Sequence, residues 1–386
     1  MKPATKWSSS NISTRALDVN IARLAINTGG GDAPGLNAVI RAVVLAAHRH
    51  GWSCYGIRDG YDGLLEPQRY QDRGGGLVAL GPDEVRGITH LGGTILGTTN
   101  TGNPLRFPVR QSNGEIEEID RSDELVSQFR HHGLDALVAI GGDGSLMIAN
   151  VLHQKGIAVI GVPKTIDNDL DRTVVTFGFD TAVSFATECL DRLHTTAASH
   201  RRIMVVEVMG RYAGWIALNC GIAGTADAIL IPEIPYDLEK VAHKVRERDR
   251  AGASFSIVVV AEGARPRGGD YTVVDKPVGA AERLGGVGEK VARELSQRTG
   301  KQARHVVLGH LLRGGTPTAF DRLISLRFGA AAVRCLADGA AGVMVALDPP
   351  TVRRVPLASA IGRMKVVPLD CDSILTAREL GLCLGD

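Results

Sequence analysis

Short apolar runs recur along the chain, each closed by a polar turn and most followed by a helix-like stretch. Residues 22–26 lead into NTGGGDAPG, residues 134–140 into GGDGS, and residues 157–162 into PKTIDND. Runs of this length, bounded by turn residues, read as strands buried on both faces. Their alternation with helical stretches predicts βαβ units on parallel sheets. A second series follows: residues 202–208 before MGRYAG, residues 228–231 before Pro232 and Glu233, and residues 255–264. The expectation is an α/β fold of two domains, each a mainly parallel sheet flanked by helices. Ligands of such sheets gather beyond the carboxyl ends of the strands, where these polar signatures lie. An active site in the cleft between the domains is expected.

A chain of 386 residues is long enough for two cores. With 44% apolar residues, 22% charged residues and a formal net charge of +2, it has the balance of an ordinary globular protein. That balance gives no reason to expect disorder or a nucleic-acid partner. No apolar run approaches the roughly 18 residues of a membrane span, so no membrane association is expected. Residues 1–20 read as a polar extension without the apolar core of a secretory signal. Six scattered cysteines without a C-x-x-C pair support neither a disulfide framework nor a zinc site, and a reducing cytoplasm is the expected location. The acidic cluster Glu115, Glu117, Glu118 and Asp120 is expected to be a solvated loop.

The loop Gly29-Gly30-Gly31-Asp32-Ala33-Pro34-Gly35 follows the first strand and opens a helix. Residues without side chains let backbone N–H groups close on an anion, and the helix N-terminus adds positive dipole. A tight turn needing positive φ is the alternative. The spacing fits neither a Walker A loop nor a dinucleotide fingerprint. The second loop, Gly141-Gly142-Asp143-Gly144-Ser145, pairs glycines with one carboxylate, which suits a phosphate chain carrying Mg²⁺, with Asp143 as the metal partner. Taken alone, Asp143 is equally readable as a helix N-cap.

Residues 163–169, PKTIDND, pack a cation, a hydroxyl and two carboxylates into one loop. Transfer of a phosphoryl group to a hydroxyl needs a carboxylate to accept the proton and cations to hold the transferred charge. In an extended loop Asp167 and Asp169 would face the same side and share a cavity. An Asx turn would explain Asn168 and one Asp, but not all four polar groups.

Together with EVMGRYAG, PE, AEGA and LGHLLRGGTP, these motifs stand in the order and at the spacings of a known family. From Ile21 to about Ala360 the chain resembles the 6-phosphofructokinase A family. The resemblance implies glycolytic phosphorylation of the 1-hydroxyl of fructose 6-phosphate, giving fructose 1,6-bisphosphate, with Asp167 as base and Thr165 and Asp169 beside it. It implies that Arg211 and the Gly30 N–H steady the transferred charge and that Mg²⁺ is held by Asp143. The donor would lie on Gly30, Gly142, Asp143, Gly144, Ser145 and Lys164. The sugar phosphate would lie on Met209, Gly210, Arg211, Glu262, His310 and Arg313, with Arg202 and Arg304 reaching in from a neighbouring subunit. A homodimer or homotetramer follows. The implied donor-binding domain spans residues 21–178 plus 312–362, and the sugar-phosphate domain 179–311 plus 363–386.

Two positions bear on the donor, and they point in different directions. Gly144 leaves room for the α-phosphate of ATP, where pyrophosphate-using members carry a second Asp. Lys164 is the residue of pyrophosphate-using members and can neutralise a pyrophosphate leaving group. The pair resembles the family's mixed-substrate group, and ATP is the expected donor, with pyrophosphate the alternative. Ile148 and Asn100 replace a glycine and a phosphate-binding arginine common among relatives. A lipid or NAD kinase would also carry GGDG, but leaves TIDND, His310 and Arg313 unexplained. A non-catalytic sugar-phosphate sensor would not need Asp167.

Overall fold

The computed structural model describes residues 21–100, 102–110, 114–270, 272–275 and 283–386, so the expected extension over residues 1–20 lies outside them. In chain order, the first strands are β1 (Arg23–Thr28), β2 (Ser53–Ile57), β3 (Leu77–Leu80), the hairpin pair β4 (Phe107–Arg110) and β5 (Ile116–Ile119), β6 (Ala136–Gly141) and β7 (Ala158–Pro163). Next come β8 (Ile203–Val208), β9 (Ala228–Leu230), β10 (Ser256–Ala261), the short pair β11 (Val273–Asp275) and β12 (Arg283–Leu284), and β13 (Ala303–Val307). The chain then adds β14 (Val343–Asp348) and β15 (Thr351–Pro356).

Among the described residues the strands build two main sheets. One has the order β15-β14-β7-β6-β1-β2-β3, the other β13-β8-β10-β9. The second is parallel throughout, and the first is parallel except for its two edge strands, β3 and β15. This bears out the two mainly parallel sheets expected from the apolar runs. Every residue of β6, β7, β8 and β10 is buried, as strands covered by helices on both faces must be.

The helices Leu36–Arg49 and Ala319–Ala337 cover one face of the larger sheet, and Ser122–His131 with Asp143–Gln154 the other. The smaller sheet is covered by Phe179–His200, Trp215–Ala223 and Asp372–Glu379 on one face, and by Leu238–Arg250 with Val287–Thr299 on the other. Among the described residues no helix is long and apolar enough to cross a membrane.

The acidic cluster departs from the reading as a loop. Glu117 and Glu118 lie in β5 of an exposed hairpin, whose edge they keep charged. Glu118 accepts from Arg106 Nε at 2.6 Å, and Asp120 accepts the Ser122 N–H at 2.8 Å at the start of the next helix.

Candidate active site

The polar loops converge because each follows the carboxyl end of a parallel strand: residues 29–35 after β1, 142–145 after β6, and 164–169 after β7. Their glycines are set by packing. A Cβ on Gly141 would meet the Ser145 Cβ at 2.2 Å, and one on Gly31 would meet Arg313 Nη1 at 2.8 Å. The result is a cleft of about 300 Å³ lined by Gly30, Gly142, Asp143, Gly144, Ser145, Lys164, Thr165 and Arg313, with Asn100 and Ile148 also on its wall. A Cβ on Gly144 would meet nothing within 4 Å, so this position looks into open space. The Gly30 N–H is engaged by the Thr99 carbonyl at 3.2 Å. It must exchange that partner before it can meet a phosphate.

Asp143 is not the N-cap. Gly142 occupies that place, and the Asp143 carboxylate accepts the Gly362 N–H at 2.8 Å. Lys164 is 3% exposed, and its ammonium donates to the Gly31 carbonyl under the first glycine loop. Burial, and then the nearby Arg313 cation, pull its pKa down to about 7.

The loop of residues 163–169 is not extended between its carboxylates, as the alternation of Asp167 and Asp169 had suggested. Asn168 has φ 53°, a left-handed turn that Asn tolerates better than most residues. Asp167 donates its N–H to Thr165 Oγ1 at 3.1 Å, while its buried Oδ1 has no hydrogen-bond partner among the described residues. Burial and the neighbouring Asp169 charge raise the Asp167 pKa to about 7, against the opposing pull of Arg313. Burial also raises Asp169.

On the smaller sheet, Met209, Gly210 and Arg211 follow β8, and Glu262 follows β10 with its N–H on the Val208 carbonyl at 2.9 Å. His310, exposed, and Arg313 sit on the 3₁₀ turn Gly309–Arg313 after β13. Arg313 crosses to the first glycine loop, donating to the Asp32 carbonyl at 3.0 Å. The Arg211 Nε is buried without a hydrogen-bond partner among the described residues. Burial, with the Glu207 charge behind it, raises Glu262.

The structure does not bring Arg202 and Arg304 to this place. Arg202 precedes β8 and Arg304 lies near the start of β13, next to Met204. They are thus a strand's length, about 20 Å, from the ends that carry Arg211 and His310.

A family model described as Phosphofructokinase matches residues 23–336. The chain belongs to the phosphofructokinase family. An ATP-dependent 6-phosphofructokinase of Chloroflexus aurantiacus is 53% identical over 94% of this chain and 98% of its own length. A pyrophosphate–fructose 6-phosphate 1-phosphotransferase of Streptomyces coelicolor is 50% identical over 89% of this chain and 96% of its own. The solved phosphofructokinase of Saccharomyces cerevisiae superposes with a TM-score of 0.74 at 28% identity, covering 88% of this chain and 45% of the yeast chain.

Sequence reasoning passed over two groups behind this phosphofructokinase site. Glu233 stood in the PE motif without a role, and Lys365 stood in no motif at all. Glu233 accepts the N–H groups of Gly214 and Val367, and Lys365 reaches the back of the catalytic loop.

Proposed function

We propose that this phosphofructokinase transfers the γ-phosphoryl group of ATP to the 1-hydroxyl of fructose 6-phosphate, with Asp167 as general base. The observation that carries the reading is the half-buried Asp167 carboxylate. It has an unpartnered oxygen and a pKa raised to about 7, in the loop that also contributes Thr165 to the glycine-walled cleft. A base poised near neutral pH is what proton removal from a sugar hydroxyl requires. The hydroxyl oxygen attacks the γ-phosphorus, whose bond to the β,γ-bridging oxygen breaks with its electrons going to ADP. The hydroxyl proton passes to Asp167. Arg211 and Arg313 hold phosphate oxygens in pairs.

The cleft suits Mg²⁺. It offers one carboxylate, Asp143, and among the described residues no group of three His, Cys, Asp or Glu side chains that could form an all-protein cage. Mg²⁺ commonly takes one or two carboxylates and completes its shell with phosphate oxygens and water. When bound, it supplies charge neutralisation on the donor phosphates.

Gly144 supports ATP because it faces open cleft. Lys164 favours the pyrophosphate reading by residue type, and one of its three ammonium donors already holds the Gly31 carbonyl of the glycine loop. Residues 21–178 plus 312–362 would then hold the donor, and 179–311 plus 363–386 the sugar phosphate.

The remote placement of Arg202 and Arg304 supports an oligomer in which they complete a neighbour's sugar-phosphate site. So does the exposure of Val307 (50%) and Leu311 (63%) at the end of edge strand β13. The test is phosphorus NMR of the product made from fructose 6-phosphate, ATP and Mg²⁺. The proposal predicts a second sugar phosphate at carbon 1 together with ADP. Release of inorganic phosphate alone would contradict it.

A further inference from the structure

Residues 364–368 run as a strap from the catalytic loop to the loop that carries Arg211. At one end Met364 bridges to Leu170, and the Lys365 N–H donates to the Asp169 carbonyl at 2.8 Å. The Lys365 ammonium spends its bonds on the same loop: Asn168 Oδ1 at 2.7 Å and the Thr173 and Val174 carbonyls at 3.0 Å each. An ammonium has three donors, so none remains for a substrate. Asn168 is the residue between Asp167 and Asp169. It is 5% exposed at φ 53°, and the same Oδ1 also accepts the Thr176 N–H at 3.2 Å.

At the other end the Lys365 carbonyl accepts Trp215 Nε1 at 2.9 Å, and the Val367 N–H donates to Glu233 Oε1 at 2.8 Å. Glu233 also takes the Gly214 N–H at 3.0 and 3.1 Å, at the end of the loop that contains Arg211.

We propose that Lys365 is a positioning residue for phosphoryl transfer: through Asn168 it fixes the turn that aims Asp167, and through the strap and Glu233 it ties that turn to the Arg211 loop. The inference rests on the reading of Asp167 as base. A left-handed non-glycine residue persists only when its surroundings hold it; here the Lys365 cation and the Thr176 N–H both hold the Asn168 Oδ1, while the other two Lys365 bonds pin residues 173 and 174 of the same loop. The strap spans the two sides of the site, so the catalytic loop and the sugar-phosphate loop move as one unit. Without it the turn relaxes, and a displacement of about 1 Å in a reacting group costs on the order of 100-fold in rate.

The experiment compares the full-length chain with Lys365→Met, Asn168→Gly and the double variant. It uses steady-state rates with fructose 6-phosphate, ATP and Mg²⁺, normalised to folded protein by thermal melting, with Asp167→Asn measured alongside. Each single change should lower kcat about 10- to 100-fold with the KM for ATP within about twofold, and the double variant should fall no further than the worse single. A kcat for Lys365→Met within about twofold of the parent, or losses that multiply in the double variant, would overturn the proposal. Should Lys365→Met fail to fold, Asn168→Gly decides alone, because glycine adopts this φ without steric cost and lacks only the side chain. Parental kcat in that variant removes the role. Failure of the underlying reading is a separate result, since parental turnover in Asp167→Asn would strike out the base whatever the strap variants do.

Discussion

Asp167→Asn should damage turnover and improve stability, and the two effects have one cause. Burial and the Asp169 charge lift the Asp167 pKa from the ordinary 3.8 to about 7. Between those values the folded chain holds a proton that the unfolded chain has released, so native stability falls as pH rises through the window and then levels off. The gap corresponds to at most about 4 kcal/mol above pH 7. Asparagine is neutral at every pH and escapes this cost. The variant should therefore melt several degrees above the parent at pH 8, with the difference shrinking to nothing near pH 4. Turnover should fall by about 10²- to 10⁴-fold for loss of the base. Calorimetry across that pH range, with a coupled assay for fructose 1,6-bisphosphate, reads both. A variant that melts at or below the parent at pH 8 would refute the electrostatic argument, and one that keeps parental turnover would refute the assignment of the base.

Four further outcomes follow from the same geometry. For the parent enzyme, kcat/KM for fructose 6-phosphate should fall about tenfold per pH unit below about 7, as the raised Asp167 carboxylate takes up its proton. A profile flat from pH 5 to 8 would count against it. Gly144→Asp should fold normally, because a Cβ there meets nothing within 4 Å, yet lower kcat/KM for ATP by at least about tenfold through charge repulsion in the cleft. Steady-state kinetics and melting curves separate the two effects, and an unchanged ATP rate would show that the α-phosphate lies elsewhere. Arg304→Ala should raise the KM for fructose 6-phosphate while the Asp167 site in its own chain stays intact. Sedimentation should find the parent as a dimer or tetramer, and a fully active monomer would contradict completion of the site across subunits.

Six of the strands were legible as apolar runs because burial on both faces leaves little place for polar residues. β13 was not, since its residues Arg304 and His305 are exposed on the edge of the smaller sheet. The return of the chain to the larger sheet at β14 was not in the apolar pattern and came only from the resemblance, which put residues 312–362 with 21–178, because its parallel neighbour β7 lies far back in the chain, before all of the smaller sheet. The loops of the site were readable because glycine and aspartate cluster there for chemical reasons. The shape of the loop of residues 163–169 was open between an extended segment and an Asx turn at Asn168, and the packing around Asn168 decides for the turn. Lys365 left no trace in the pattern. The role proposed for it rests on three acceptors on residues 168, 173 and 174, nearly two hundred residues earlier.

ATP-driven phosphorylation of fructose 6-phosphate in the cleft that Gly144 leaves open is the proposed reaction. Initial rates with fructose 6-phosphate and Mg²⁺, taken with ATP and with pyrophosphate over a concentration range, test it most directly. Saturable turnover with ATP is the expected result. Turnover with pyrophosphate and none with ATP would contradict it, and would make Lys164 rather than Gly144 the residue that sets the donor.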